Sequence, residues 1–134
     1  MGTVKLLDDD DLDPRAAAVF ADIRRTRGTD YVNGFWRALA NHPETLEKLW
    51  ADLKVTMAPG ALDPLTKELV YVAVSVANSC AYCVHSHTAA ARAKGMTPEQ
   101  HQELLQVIAM AQRTNGLVTA LGVPVDPVFD QTAD

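Results

Sequence analysis

Apolar residues recur three and four positions apart along most of the chain, which is the spacing of one face of an α-helix. Four of these segments begin with a polar residue followed by proline, the pattern of a capping side chain before a proline at the first helical position. The four starts are Asp13-Pro14, His42-Pro43, Asp63-Pro64 and Thr97-Pro98. The sequence therefore predicts helices that begin at these points.

Glycines mark where several of these helices are expected to end. Gly28 follows a predicted helix over residues 15–27, and Gly95 follows one that begins at Ser79 or Cys80. The last predicted helix covers residues 100–121, with a break expected near Asn115-Gly116 and an extended tail over 125–134.

The segment over residues 65–77 is ambiguous, because its four valines alternate as they would in a strand. It is too long for a typical strand, however, and it follows the helix start Asp63-Pro64. We interpret it as a helix that is apolar nearly all round, and we expect it to be central and buried. With no alternation of strands and helices elsewhere, the predicted fold class is all-α.

Composition places the chain among ordinary globular proteins. It has 134 residues, 48% of them hydrophobic and 22% charged, which predicts one domain over 1–134 with a core of its own. The net charge of -5 argues against nucleic acid and anionic membranes as partners. Part of that charge is the run Asp8–Asp11, which suggests that residues 1–12 form a flexible acidic extension.

Neither a membrane-spanning stretch nor the basic-then-apolar order of a signal peptide is found, so a cytoplasmic protein is expected. Structural disulfides are disfavoured in that reducing compartment. The two cysteines of the chain, Cys80 and Cys83, are therefore expected to serve catalysis, redox sensing or metal binding.

Cys80, Cys83 and His87 stand at positions i, i+3 and i+7 of the predicted helix, so they share one face, whereas His85 points elsewhere. The cysteines would occupy the first turn, where unpaired backbone N–H groups and the helix dipole favour a thiolate. A nucleophilic cysteine needs this lowering of the thiol pKa.

Glu68 lies in the preceding apolar helix, where an unpaired carboxylate is costly to bury. Its own helix offers no neutralising group one turn onward, so we expect a partner from another element, with His87 as the candidate. Such a pair is a possible proton relay, in which the apolar setting would raise the pKa of Glu68. The alternative is an exposed Glu68, paired with Lys67 or Lys94.

Other uses of the cysteines remain open on the residues alone. Covalent haem attachment is excluded, because Val84 follows the second cysteine where histidine is required. Zinc bound by both cysteines, His85 and His87 would need side chains from opposite sides of one helix. A zinc site completed from another element, a redox sensor, and a packed CxxC pair without function stay as alternatives.

The combined motif Glu68-x11-Cys80-x2-Cys83-x3-His87 resembles the signature of the alkylhydroperoxidase D-like (AhpD-like) branch of the carboxymuconolactone decarboxylase superfamily. The resemblance covers residues 31–124. It includes two further stretches, Ala40-Asn-His-Pro43 and Ala58-Pro-Gly-Ala-Leu-Asp-Pro64. It implies an all-helical fold that assembles into trimers or hexamers.

The resemblance also implies residue roles, with no cofactor and no metal. Cys83 matches the peroxidatic cysteine and Cys80 the resolving one, while His87 and Glu68 match a proton relay. A hydroperoxide would be the substrate, and a dithiol such as a lipoylated or thioredoxin-like protein would be the reductant.

One position departs from the best-characterised peroxidase members. They carry a histidine between the cysteines, where this chain has Tyr82, which cannot serve as a base near neutral pH. The decarboxylase branch is a weaker match, because it does not use a CxxC pair. We therefore expect a thiol-dependent peroxidase or disulfide oxidoreductase, with a decarboxylase-like enzyme and a non-catalytic redox-sensing or zinc-binding module as the alternatives.

Overall fold

The computed structural model describes residues 2–130, and within that range the regular structure consists of helices without any strand. The helices are α1 (Pro14–Arg27), α2 (Gly34–Leu39), α3 (Pro43–Met57), α4 (Pro64–Ala77), α5 (Ala81–Ala93) and α6 (Pro98–Leu121), with 3-10 turns at Asp9–Asp11 and Pro127–Phe129. The predicted all-α class is confirmed.

Side-chain caps hold three of the four predicted helix starts. The carboxylate of Asp13 accepts the backbone N–H of Arg15, and that of Asp63 accepts the N–H of Thr66. Thr97 heads a full capping box at α6. These side chains satisfy backbone donors that have no partner inside the helix, so each start is fixed by local chemistry.

The chain divides into two compact units, the first ending at Ala58 and the second beginning at Pro59. One domain over residues 1–134 stays a prediction. In the first unit, α1 and α2 pack against α3. Its core contains both tryptophans, whose rings meet edge to face at 5.4 Å. The buried residues are Ala16, Val19, Phe20, Ile23, Val32, Trp36, Ala40, Leu46 and Trp50.

The N-terminal segment differs in part from the expected flexible extension over 1–12. Leu7 and Leu12 pack against the core of the first unit. Asp9 accepts hydrogen bonds from Arg24 at 2.7 Å and from Arg37 at 3.0 Å, and these two guanidinium groups hold its pKa below the usual range. Part of the acidic run is thus held by specific ion pairs.

In the second unit, α4 packs against both α5 and α6. The prediction that this apolar helix, α4, is buried is wrong for part of its surface in this single chain. Val72 is buried, whereas Val70 and Val74 are 51% and 53% exposed. Two neighbouring helices cover only part of the circumference of a helix, so the opposite apolar stripe of α4 stays on the surface.

The expected break near Asn115-Gly116 is also wrong, because α6 runs without interruption to Leu121. An interior glycine costs about 1 kcal/mol relative to alanine and does not by itself end a helix. Gly122 ends α6 instead, with φ of 61° in the left-handed region that glycine adopts without strain. Residues 131–134 of the expected tail lie outside the described residues.

Among the described residues, no helix combines the length and apolar character needed to cross a membrane.

Both tryptophans lie in the first unit, so their fluorescence reports on the folding of that unit.

We predict that Leu46→Ala destabilises the first unit by about 3 kcal/mol, because it leaves a cavity in a packed core. Leu46 is 0% exposed, and Leu49 on the same helix is 38% exposed. Leu49→Ala is therefore the matched control and should cost about 1 kcal/mol or less. Urea unfolding followed by tryptophan fluorescence measures both, and equal losses would contradict the assigned core.

Candidate functional site

The link from α4 to α5 is a tight turn that ends at Cys80. Ser79 adopts φ of 56°, a left-handed conformation that costs a non-glycine residue about 1 kcal/mol. The N–H of Cys80 donates to the carbonyl of Ser75 at 2.9 Å, which closes the turn onto the end of α4. The turn thus delivers Cys80 to the first position before α5.

Cys80 caps α5 through sulfur, since the backbone N–H of Cys83 donates to Cys80 Sγ at 3.3 Å. The two cysteines are joined as a disulfide, with their Cα atoms 5.3 Å apart. Both sulfurs therefore lie in the first turn of α5, as the sequence predicts. Unpaired N–H groups at a helix start favour negative charge there, so a thiolate formed on reduction would be stabilised.

Glu68 is buried, with 3% of the residue exposed. Its Oε2 lies 2.7 Å from Nδ1 of His87, so the expected partner from the next helix is present. His87 follows Cys83 by about one turn of α5, and it binds the carboxylate on α4.

Lys94 also binds this carboxylate, although it is not among the site residues that the sequence predicts. Its Nζ donates to Oε1 of Glu68 at 2.6 Å. The sequence assigned Lys94 only to an alternative with an exposed Glu68, and that alternative is wrong because Glu68 is buried. A usable signal existed, since positions 87 and 94 are seven residues apart and share a helix face.

The expectation of a raised pKa for Glu68 is wrong. Burial does raise the pKa of this carboxyl, but the hydrogen bonds from His87 and Lys94, together with the charges of Lys94 and of a protonated His87, lower it by more. The pKa of Glu68 therefore lies below its usual 4.5, and the group is an anion at neutral pH.

Tyr71 is a second residue that the sequence left out of the site. Its ring stacks on the imidazole of His87 with centroids 3.6 Å apart and an angle of 18° between the planes. It lies three residues after Glu68 on α4, so one helix face supplies both groups that contact His87. The stacked ring and the carboxylate together fix the orientation of the imidazole.

The hydrogen-bond direction at His87 follows from the charge of Glu68. An ionised carboxylate only accepts hydrogen bonds, so Nδ1 of His87 carries the proton that lies between them. The other ring nitrogen, Nε2, is then the one that can accept a proton when the imidazole is neutral. An imidazole held in this way by a buried carboxylate has a free ring nitrogen that is chemically able to act as a base.

His85 stands apart from this group, as the helical phase predicts. It is exposed and lines a shallow depression of about 300 Å³ beside the disulfide. The lining residues are Ser75, Val76, Ser79, Cys80, Ala81, Val84 and His85. Cys80 is therefore reachable from the surface through this depression.

Over residues 2–130, no three side chains of the His, Cys, Asp or Glu type converge in a way that could hold a metal ion.

Comparison with known proteins places these residues in a family context. A model of the carboxymuconolactone decarboxylase family matches residues 43–126. The crystal structure of an alkylhydroperoxidase AhpD core from Rhodospirillum rubrum superimposes with a TM-score of 0.96 at 58% identity, covering 98% of this chain and 99% of the other.

Two curated relatives match shorter stretches. "Uncharacterized protein 4 in cox locus" of Paracoccus denitrificans is 45% identical over 42% of this chain and 50% of its own length. "Alkyl hydroperoxide reductase AhpD" of Solibacter usitatus is 39% identical over 49% of this chain and 36% of its own length. The matches thus span half or less of these two relatives.

We predict that Glu68 stabilises the fold in a pH-dependent way. A carboxyl whose pKa is lowered by folding stabilises the protein fully above its unfolded pKa, near 4.5, and this contribution is lost as the pH falls through the lower folded value. Glu68→Gln should therefore cost about 2 kcal/mol at pH 6 and much less at pH 3.

Urea unfolding followed by far-UV circular dichroism at the two pH values measures this difference. Glu103→Gln, at an exposed position on α6, is the matched control and should change little at either pH. A loss for Glu68→Gln that stays constant between pH 6 and pH 3 would contradict the lowered pKa.

Proposed function

The chain belongs to the carboxymuconolactone decarboxylase family, and on that premise we propose that it is a thiol-dependent peroxidase, or a closely related disulfide oxidoreductase, that reduces hydroperoxides. The observation that carries the proposal is the Glu68–His87 hydrogen bond of 2.7 Å, one helical turn from a cysteine pair able to form a disulfide. The likeness to an AhpD core over nearly the whole chain supports it.

In the proposed first step, the thiolate of Cys83 attacks one oxygen of the peroxide. The O–O bond breaks, the sulfur becomes a sulfenic acid, and the second oxygen leaves as water or an alcohol after taking a proton. His87 takes the thiol proton beforehand and can return it to the leaving oxygen. Glu68 orients the imidazole and favours its charged form while it holds that proton.

In the second step, the thiol of Cys80 attacks the sulfenic sulfur of Cys83, which forms the disulfide and releases water. An external dithiol then reduces the disulfide by two exchange steps and is itself oxidised to a disulfide. We propose a lipoylated or thioredoxin-like protein as this reductant. The depression beside Cys80 gives such a partner access to one sulfur of the pair.

We predict that Cys83→Ser abolishes peroxide consumption in the presence of a dithiol reductant, because the attacking sulfur is lost. Without a dithiol present, Cys80→Ser should form the sulfenic acid of Cys83 once and then stop, since no disulfide can form within the chain. A coupled peroxide assay with several dithiol reductants, together with mass spectrometry of Cys83, measures both outcomes.

The same assay separates the alternatives. Full peroxide consumption by Cys83→Ser would refute the assigned role of Cys83. A decarboxylase-like enzyme would turn over its substrate without either cysteine. A redox sensor would oxidise once and fail to turn over with any dithiol.

We further propose a homo-oligomer, a trimer or a hexamer, located in the cytoplasm and without nucleic acid or membrane partners. Apolar side chains on the second unit support this, since the stripe of α4 with Val70 and Val74 is half exposed in the single chain. Large exposed apolar areas of this kind mark contact sites between proteins.

We predict that sedimentation velocity of the chain at micromolar concentration gives three or six times the mass of one chain. The physical reason is the gain from removing the exposed apolar stripe from water. A monomer under these conditions would contradict the proposed assembly.

A further inference from the structure

We propose that Lys94 is the counterion of Glu68, and that it thereby keeps His87 neutral, with Nε2 free to accept the thiol proton. This makes Lys94 a positioning residue that acts through Glu68 and His87. The importance for peroxide reduction rests on the proposed function, whereas the charge state of His87 can be tested without it.

The two oxygens of the carboxylate are divided between two partners. Oε1 lies 2.6 Å from Nζ of Lys94, and Oε2 lies 2.7 Å from Nδ1 of His87. The side chain of Glu68 is only 4% exposed, so water contributes little to its solvation. His87 and Lys94 therefore determine whether this carboxylate can stay ionised.

A buried carboxylate is stable as an anion when one positive charge lies next to it. Either Lys94 or a protonated His87 can supply that charge. Since the ammonium of Lys94 supplies it, His87 needs only to donate the neutral Nδ1–H. If Lys94 lost its charge, the carboxylate and the imidazole together would bind one more proton, and His87 would stay protonated to higher pH.

The local backbone places Lys94 for this contact. It follows the last residue of α5, and its backbone N–H donates to the carbonyls of Ala90 and Ala91 at 3.1 Å. Gly95 then leaves the helix with φ of 96°. The side chain of Lys94 is 37% exposed, so the ammonium keeps part of its hydration while it binds Glu68.

The other groups near the carboxylate do not take over this role. Tyr71 on α4 faces the ring of His87 by stacking. The second helix packed on α4 is α6, and in the described chain none of its side chains forms a hydrogen bond or ion pair with Glu68, His87 or Lys94. The carboxylate contacts described above thus come from one ammonium and one imidazole.

The test is a pH titration of the reduced chain by NMR of the histidine ring nitrogens, with the His87 signals identified from their absence in His87→Asn. In the parent chain at pH 7, the expected pattern is a neutral ring with the proton on Nδ1. A charged His87 at that pH would overturn the proposal, whatever the variants do.

Lys94→Gln keeps a hydrogen-bond donor and removes the charge, and it should raise the titration midpoint of His87 by about one pH unit or more. Lys94→Arg keeps the charge and should leave the midpoint near that of the parent chain. Lys48→Gln removes an exposed ammonium that pairs with Glu44 and is the control for net charge. An unchanged midpoint in Lys94→Gln would overturn the proposal.

The charge of Lys94 could also act on His87 directly and not through Glu68. Repeating Lys94→Gln in a Glu68→Gln background distinguishes the two effects. There the carboxylate is absent, so Lys94→Gln should shift the midpoint much less than in the parent chain. Equal shifts in the two backgrounds would show that Lys94 does not act through Glu68 and would overturn the proposal.

The kinetic readout is the pH profile of peroxide-driven thiol loss. Lys94→Gln should shift the low-pH side of this profile to higher pH by about as much as it shifts the titration midpoint of His87. At a pH below the midpoints of both the parent chain and the variant, the rate should therefore fall about tenfold, and at higher pH it should recover. A purely structural defect would lower the rate at every pH and would overturn the proposal. If the parent chain does not react with peroxide, the proposed function fails while the NMR result still decides the role of Lys94.

Discussion

A single buried negative charge organises the second unit of this protein. Glu68 lies on α4, and both of its partners, His87 and Lys94, come from α5 and the residue that follows it. The two partners are seven residues apart, which is two helical turns, so they meet α4 along one line. Leaving the carboxylate without these partners would be costly, and this fixes how α5 sits against α4.

The same line extends back to the start of α5, where the cysteine pair lies. Cys80, His87 and Lys94 follow one another at seven-residue intervals, and Cys83 lies one turn before His87. The left-handed conformation of Ser79 allows the chain to turn sharply enough for Cys80 to begin this line. The cysteine pair and both partners of Glu68 are therefore positioned by one face of α5, its continuation to Lys94, and one left-handed turn residue.

Much of this was predictable, because the signals are local. A capping side chain followed by proline gives a helix start without reference to the rest of the chain, as at Asp63 and Thr97. The partnership of Glu68 with His87 followed from the cost of burying a charge. The misses have different causes. The exposed stripe of α4 depends on how many elements surround it, which the sequence of α4 does not show. Lys94 carried a spacing signal but lies just beyond the end of α5, and Gly116 is a local break signal that the rest of α6 overrides.

The departure at Tyr82 makes the charge arrangement around His87 more important. A tyrosine between the cysteines cannot take a thiol proton near neutral pH, so in the proposed mechanism His87 is the base of the site. A base must be unprotonated before it acts, yet the adjacent anion of Glu68 favours the protonated form. An ammonium on the other carboxylate oxygen offsets that tendency while keeping the orienting hydrogen bond. In the proposed arrangement, Lys94 thus allows Glu68 to stay ionised and to orient His87 while the imidazole stays neutral.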